Sequence, residues 1–179
     1  MGKKILIISA SLRNNSNSDA LADEFMKGAI DGGNSVKKIS LAGKKISFCR
    51  GCLACQKIGH CLIEDDANAI TEEMKDADAI AFATPVYYYG MAGQLKTMFD
   101  RANSLFPADY AFRDIYLLAS AAENEDSAVD GTENGIECWI SCFEKAALKG
   151  VSFAKGVEKP GDIKGHKALT DAYNLGLNA

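Results

Sequence analysis

The sequence has little of the chemistry that hydrolytic and acid–base enzymes use. It has only two histidines, His60 and His166, and neither lies in a Ser/His/Asp arrangement or in a metal-ligand pattern with carboxylates. No acidic pair reads as a hydrolytic motif, since Asp65-Asp66 fits a helix cap and Asp100-Arg101 fits a solvated or ion-paired helix face. This lack predicts that a bound cofactor supplies any chemistry.

An excess of positive charge and long apolar runs are also missing. The net charge of −4 argues against a nucleic-acid partner, because phosphate backbones attract basic surfaces. No run approaches the roughly 18 apolar residues of a membrane span, and the apolar run near the N-terminus is too short for a signal peptide. We therefore expect a cytoplasmic protein with no membrane partner, in which residues 1–179 form a single domain.

Short apolar runs alternate with helical patterns along the whole chain. The five predicted strands are residues 5–8, 35–41, 79–83, 115–119 and 151–157. Such alternation predicts an α/β fold, doubly wound, with a parallel sheet and helices on both faces. Ligands of such sheets bind at the carboxyl ends of the strands. The loops after strands one, three and four are therefore expected to line one crevice.

Two boundary predictions and one cysteine prediction follow from local patterns. Pro85 is expected to end the third strand, because proline cannot donate to a strand ladder. Apolar residues at helical spacing predict a helix that includes residues 136–147. Cys138 and Cys142 lie within it, with Cys142 beside the apolar face, so both are predicted to be structural.

The loop after the first strand is rich in polar side chains and leads into a helix. These side chains are Ser9, Ser11, Arg13, Ser16, Asn17 and Ser18. Free N–H groups at the helix start form an anion site that hydroxyl donors improve, and an arginine adds bidentate contacts to phosphate. The loop lacks the glycine patterns of dinucleotide sites and P-loops, which favours a mononucleotide. An ordinary capped turn remains the alternative.

Three successive tyrosines follow the third strand, in the segment Pro85, Val86, Tyr87, Tyr88, Tyr89 and Gly90. Aromatic rings at this edge of the sheet can flank a planar heterocycle, and backbone N–H groups can bind its polar rim. The alternative is that the tyrosines pack over the end of the sheet or at a subunit contact.

These segments resemble the flavodoxin-like NAD(P)H-dependent FMN reductases. Residues 9–18 are similar to the family's G-S-x-R-x-x-x-N-[ST] segment, with Ala10 where glycine is usual. Residues 84–90, followed by 94–96 and 99–101, are similar to its [ST]-P-[VI]-Y and Q-L-K-x-F-x-D-R block. The resemblance covers nearly the whole chain and implies a five-stranded parallel sheet of order 2-1-3-4-5.

The resemblance implies an FMN-dependent oxidoreductase that takes hydride from NAD(P)H and passes electrons to an unidentified small-molecule or protein acceptor. Flavin-based chemistry of this kind requires no catalytic side chain, and a homodimer or homotetramer is implied. The predicted FMN-binding residues are the loop residues named above, the segment from Pro85 to Gly90, and a closing loop of Ser120, Ala121, Ala122 and Glu123. A flavodoxin-type electron carrier without its own NAD(P)H oxidation, or a non-catalytic ligand- or metal-binding domain, remains an alternative.

A segment without helical period, residues 44–64, carries four of the six cysteines: Cys49, Cys52, Cys55 and Cys61. Long structureless connections are usually functional, and in a cytoplasmic chain such thiols are reduced, metal-bound or redox-active. The C-x2-C-x2-C-x5-C spacing is similar to that of Fe–S ligands and resembles the compact motif of iron–sulfur flavoproteins, which implies a [4Fe–4S] cluster. Structural zinc, a redox-active pair of Cys52 with Cys55 or Cys61, and unligated thiols remain open.

Overall fold

The computed structural model describes residues 2–179, so Met1, where the expected domain range begins, lies outside them. Within these residues the strands and helices, in chain order, are β1 (Lys4–Ser9), α1 (Asn17–Asp31), β2 (Ser35–Ser40), α2 (Cys55–Ile58), α3 (Asp66–Asp76), β3 (Ala79–Tyr87), β4 (Gly90–Met91), α4 (Gly93–Arg101), β5 (Asp114–Ser120), α5 (Asp130–Ile140), β6 (Ala147–Ala154) and α6 (Lys167–Leu177). Short 3-10 turns lie at Asn103–Leu105 and Asp126–Val129.

The sheet has the predicted topology. Five parallel strands lie in the order β2-β1-β3-β5-β6, which confirms the predicted order 2-1-3-4-5 once the long strands are numbered by themselves. The two-residue β4 adds a sixth strand to those that residues 2–179 form, because it pairs antiparallel with the end of β3. The carboxyl ends of β1, β3 and β5 are neighbours at one edge of the sheet.

Both faces of the sheet are covered by helices, as the apolar strands require. In β1, Ile5 and Ile7 face one core together with Leu21 and Phe25 of α1. The intervening Leu6 and Ile8 face a second core, built with α3, α4 and α5. Among residues 2–179, no helix is long and apolar enough to cross a membrane.

The expectation that Pro85 ends the third strand was wrong. β3 continues to Tyr87, and Pro85 is paired with Ser120 of β5. A proline is tolerated here because it removes one donor only where the strand leaves the sheet. The strand then continues as a hairpin with β4, and the Thr84 hydroxyl accepts a hydrogen bond from the Ala92 N–H at 3.0 Å.

The predicted helix over residues 136–147 and the predicted fifth strand over residues 151–157 both had wrong limits. α5 ends at Ile140, and Ala147 begins β6, which ends at Ala154. Phe143 is buried although it is not helical, since it packs edge-on against Tyr110 and Phe112. Phe143 is apolar because it is buried in this aromatic cluster, so its distance of three residues from Ile140 resembled the spacing of a helix that does not continue there.

Cys138 and Cys142 are not structural core residues, contrary to the prediction. Both are exposed. Cys142 lies beyond the end of α5, and its Sγ is 3.8 Å from the carbonyl oxygen of Cys138. The neighbouring apolar position, Phe143, takes the buried place instead.

Candidate functional site

The first turn of α1 contains a buried hydroxyl group that makes no hydrogen bond within residues 2–179. The Ser16 hydroxyl caps the helix by accepting from the Asp19 N–H at 3.1 Å. Ser18, in the first turn, is fully buried, and its Oγ has no hydrogen-bond partner among residues 2–179. Buried hydroxyl groups are nearly always paired. An unpaired one at the positive end of a 15-residue helix therefore fits an anionic ligand group.

The arginine and the asparagine of this loop contact a segment that sequence reasoning missed. Arg13 is exposed, and its Nη1 donates to the Glu158 carbonyl oxygen at 2.9 Å. The side chain of Asn17 donates to the Lys159 carbonyl oxygen at 3.0 Å and accepts from the Gly161 N–H at 3.1 Å. The segment after β6 therefore closes one side of the loop. Its only sequence signal is the Lys-Pro-Gly break.

The three loops expected to meet do meet, around a cavity of about 120 Å³. It is lined by Ser11, Arg13, Ser16, Asn17, Pro85, Val86, Tyr87, Ser120, Ala121, Ala122, Val157, Glu158 and Pro160. Pockets for whole small molecules span roughly 300–1,000 Å³. The cavity therefore has room for a phosphate-sized group, and a larger ligand has to extend over the exposed surface beside Tyr87.

The other residues predicted to bind a cofactor lie outside this lining. The Ser9 hydroxyl donates to Asp19 Oδ1 at 2.7 Å. Gly90 begins β4, and Glu123 is exposed. Tyr88 and Tyr89 are also exposed. Ser18 is likewise absent from the lining, although Asn17, its neighbour in the chain, belongs to it. For each of these six residues, cofactor binding stays a prediction.

The two exposed tyrosines form a strained turn. Their φ angles are +49° and +62°, in a left-handed region where hairpin turns usually place asparagine and glycine. Each non-glycine residue in this region costs about 1 kcal/mol or more. Strain of this kind clusters at functional sites, so the turn fits a ligand surface next to the cavity.

The four cysteines of the predicted metal motif lie around a second cavity, of about 670 Å³. Cys55 is buried, Cys61 is half-buried, and Cys49 and Cys52 are exposed. Cys142 lines the same cavity. Within the part of the chain that is described, no three His, Cys, Asp or Glu side chains are arranged to hold a metal ion. The motif therefore brings the thiols to one cavity but not into a finished coordination shell.

The chemistry of this cavity suits a metal–sulfur group. Four thiols in a short segment form a soft donor set of the kind that selects iron–sulfur clusters, zinc or copper(I). Two N–H groups already approach sulfur atoms: the Gly51 N–H lies 3.4 Å from Cys49 Sγ, and Asn103 Nδ2 lies 3.5 Å from Cys55 Sγ. Donors of this type are among the groups that tune metal–thiolate sites.

Asp100-Arg101 was expected on a solvated or ion-paired helix face, and for Arg101 the ion pair is confirmed, but the residue is buried. Its side chain is 0% exposed and forms a two-pronged pair with Asp65, at 2.7 and 2.8 Å. Burial works to raise the pKa of Asp65, but hydrogen bonds from Arg101 and from the Ser47 and Ala67 N–H groups outweigh it. Together they lower the pKa of Asp65 from 3.8 to about 2.

Comparison with known proteins identifies relatives by sequence and by structure. The profile of the NADPH-dependent FMN reductase family matches residues 3–128. An iron–sulfur flavoprotein of Methanocaldococcus jannaschii is 38% identical over 102 residues, 57% of this chain and 53% of that protein. The match thus spans about half the length of that relative, and it bears out the resemblance to iron–sulfur flavoproteins.

Two further comparisons extend over almost the whole chain. YwqN of Bacillus subtilis, provisionally named as an NAD(P)H-dependent FMN-containing oxidoreductase, is 29% identical over 181 aligned positions, 96% of each chain. The solved NAD(P)H:quinone oxidoreductase from Methanothermobacter marburgensis superimposes with a TM-score of 0.70 at 20% identity, covering 99% of this chain and 97% of that one. At this identity the superposition supports the fold alone.

Proposed function

The chain belongs to the NADPH-dependent FMN reductase family, and from this premise we propose that it binds FMN at the first cavity and uses it to oxidise NAD(P)H. One observation carries the proposal. The unpaired, buried Ser18 hydroxyl lies in the first turn of α1, and its neighbour in the chain, Asn17, lines the cavity where the three predicted loops meet. When bound, FMN supplies hydride acceptance and electron delivery.

The residues of this chain have binding and orienting roles in the proposal. The first turn of α1 and the Ser11, Ser16 and Ser18 hydroxyls receive the FMN phosphate. Arg13 adds positive charge. Its side chain makes one hydrogen bond to the described residues, which leaves further N–H groups for phosphate oxygens. The hairpin after β3 offers aromatic surface to the ring system, and residues 120–122 close the opposite side of the cavity.

We further propose that Cys49, Cys52, Cys55 and Cys61 hold a [4Fe–4S] cluster, which passes electrons from the flavin to the acceptor. Three observations support the cluster: the spacing of the thiols, their shared cavity and the names of the relatives. Structural zinc, a redox-active thiol pair and unligated thiols are the competing outcomes.

A homodimer or homotetramer is part of the proposal. It follows from the family resemblance, and the exposed aromatic side chains of Phe48 and Tyr88, 81% and 103% exposed, are the positions at which a subunit contact is sought. Sedimentation equilibrium of the FMN-loaded chain measures the oligomeric state.

Anaerobic purification, followed by a visible spectrum and by iron and sulfide analysis, tests flavin and cluster together. We expect a chain that binds FMN, is bleached by NADH or NADPH in a stopped-flow experiment, and contains iron and sulfide in equal amounts. FMN binding without bleaching would favour an electron carrier. A colourless chain that takes up no added FMN would favour a non-catalytic binding domain.

Arg13→Ala tests the phosphate site itself. Loss of a charge-assisted hydrogen bond is expected to weaken FMN binding about 10- to 100-fold in a fluorescence titration. Arg50→Ala is the matched control, because Arg50 is also exposed but lies outside this cavity. Equal FMN affinity in parent and Arg13→Ala would contradict the assignment.

A further inference from the structure

Arg101, the last residue of α4, carries a buried charge that FMN binding does not use. It is one of the largest fully buried side chains, and it lines the cysteine cavity rather than the FMN cavity. Removing an ionised group from water is costly unless hydrogen bonds compensate. The partners of its guanidinium therefore indicate what this residue holds in place.

The four cysteines lie between Ser47 and Ile63, and the guanidinium of Arg101 binds both ends of this segment, which are called its two stems. Nη1 donates to the Ser47 carbonyl oxygen at 2.8 Å, two residues before Cys49. Nη2 donates to the Ile63 carbonyl oxygen at 3.0 Å, two residues after Cys61. One planar group thus sets the separation between the beginning and the end of the cysteine segment.

Asp65 fixes the orientation of this guanidinium. Besides its two contacts with Arg101, the carboxylate accepts from the Ser47 N–H at 2.8 Å and from the Ala67 N–H at 3.1 Å, at the start of α3. A two-pronged arginine–carboxylate pair holds both planes together. The junction therefore ties the cysteine segment to α3 and α4 at once.

One N–H donor of Arg101 makes no hydrogen bond to the described residues. Its Nε is buried and has no hydrogen-bond partner among residues 2–179. Hydrogen bonds to Asp65 raise the pKa of Arg101 against the effect of burial, so the guanidinium stays charged. An unpaired N–H group beside thiols, on a residue that lines their cavity, fits an anionic sulfur atom as acceptor.

Asn103 extends the same pattern two residues further along. Its Nδ2 lies 3.5 Å from Cys55 Sγ, and its Oδ1 accepts from Gln56 Nε2 at 3.4 Å. The turn after α4 therefore presents a side-chain N–H group toward one of the four cysteines, Cys55.

We propose that Arg101 is a positioning residue of the cysteine site, which holds the two stems so that the four thiols enclose one metal–sulfur group and donates its Nε–H to a sulfur atom of that group. This rests on the cluster proposed above. A donor to sulfur stabilises the more negative, reduced form, so it raises the reduction potential of the bound group.

The first test uses the iron-free chain. The variants are Arg101→Met and Arg101→Lys, and the control is Arg113→Lys, since Arg113 also donates to several carbonyl oxygens but lies outside the cavity. We expect Arg101→Met to speed the reaction of Cys55 with a disulfide reagent about tenfold or more, because the segment opens once its stems separate. The control keeps the parent's rate, and unchanged FMN affinity in each variant shows that the fold is intact.

The second test uses the chain reconstituted anaerobically with iron and sulfide. Arg101→Met is expected to hold less than half of the parent's iron, and Arg101→Lys to hold iron at a more negative midpoint potential, since lysine lacks the Nε–H of the fork. If Arg101→Met loses FMN binding, the inference is judged on Arg101→Lys by the labelling rate of Cys55, the iron content and the midpoint potential.

The outcomes separate this inference from the cluster proposal. A parent chain that takes up no iron would refute the cluster proposal. The labelling rates would still test whether Arg101 holds the two stems together. Parental labelling rates in both Arg101 variants, or parental iron content and midpoint potential in both, would overturn the inference.

Discussion

At the scale of single residues, burial decides what identical side chains do. Arg13 is exposed at the cavity between the three loops, and its side chain makes one hydrogen bond to the described residues. Arg101 is enclosed and makes four N–H···O hydrogen bonds inside the protein. Asp65 was predicted as a helix cap, and its contact with the Ala67 N–H confirms this. The same carboxylate also forms an ion pair with Arg101. No local sequence pattern predicts this pair.

The lowered pKa of Asp65 predicts a stability effect at acid pH. Because its folded-state pKa is about 2 and its ordinary value is 3.8, the ionised form contributes about 2 kcal/mol to the free energy of unfolding. This contribution is complete above pH 4 and is lost as the pH falls through 2. Urea unfolding between pH 6 and pH 2 measures it.

Asp65→Asn is the reference for that measurement, because asparagine also caps helices but does not ionise in this range. We expect the difference in unfolding free energy between parent and Asp65→Asn to shrink as the pH drops toward 2. Other carboxylates titrate in both chains and cancel. A difference that stays constant from pH 6 to pH 2 would contradict the role of this carboxylate.

At the scale of elements, one helix pair depends on glycine. α1 and α6 cross on the same face of the sheet, and Gly28 and Gly176 lie at the crossing. A Cβ atom at Gly28 would clash with the Tyr173 carbonyl oxygen, and one at Gly176 would clash with the Phe25 carbonyl oxygen. The alternation of strands and helical patterns predicted helices on both faces of the sheet. Their close approach was not predicted, because it depends on which faces meet.

Gly28→Ala is expected to destabilise the protein by about 1–3 kcal/mol, because the two backbones must move apart to admit the methyl group. The free energy of unfolding in urea measures the effect. Gly93→Ala in α4 is the control, since a Cβ atom there meets no atom within 4 Å and alanine favours helix. Equal effects of the two substitutions would refute the close-approach explanation.

At the scale of the whole molecule, two sites occupy separate places. The cavity after β1, β3 and β5 and the cavity of the cysteine segment have no lining residue in common within residues 2–179. The first depends on the carboxyl edge of the sheet, and the second on α4, α5 and the segment before α3. Loading of one site should therefore proceed without the other.

Cys49→Ser tests this independence. Cys49 is exposed, so serine removes a proposed metal ligand without leaving a cavity in the core. We expect iron content after anaerobic reconstitution to fall by more than half, while the dissociation constant for FMN stays within twofold of the parent's. Loss of FMN affinity in this variant would show that the two sites are coupled.

The strand order was implied by the resemblance to the flavodoxin-like FMN reductases. The sequence by itself determined the alternation of strands and helices, both covered faces of the sheet and the meeting of three loops at one edge. These follow from apolar periodicity and from the direction of parallel strands, which are properties of short segments. Membership of the NADPH-dependent FMN reductase family could likewise be inferred from residues 9–18 and 84–101, because their residue types and spacing are local.

Only the tertiary structure decided which polar groups are buried and what they face. Asn17 contacts the segment after β6, which lies far from it in the chain. The continuation of β3 past Pro85 and the exposure of Cys138 and Cys142 likewise depend on packing that no local pattern describes. Arg101 shows the reason most clearly. Its contacts with Ser47, Ile63 and Asp65 span 36 to 54 positions along the chain, and burial and long-range hydrogen bonding are set by packing, which exists only once the chain has folded.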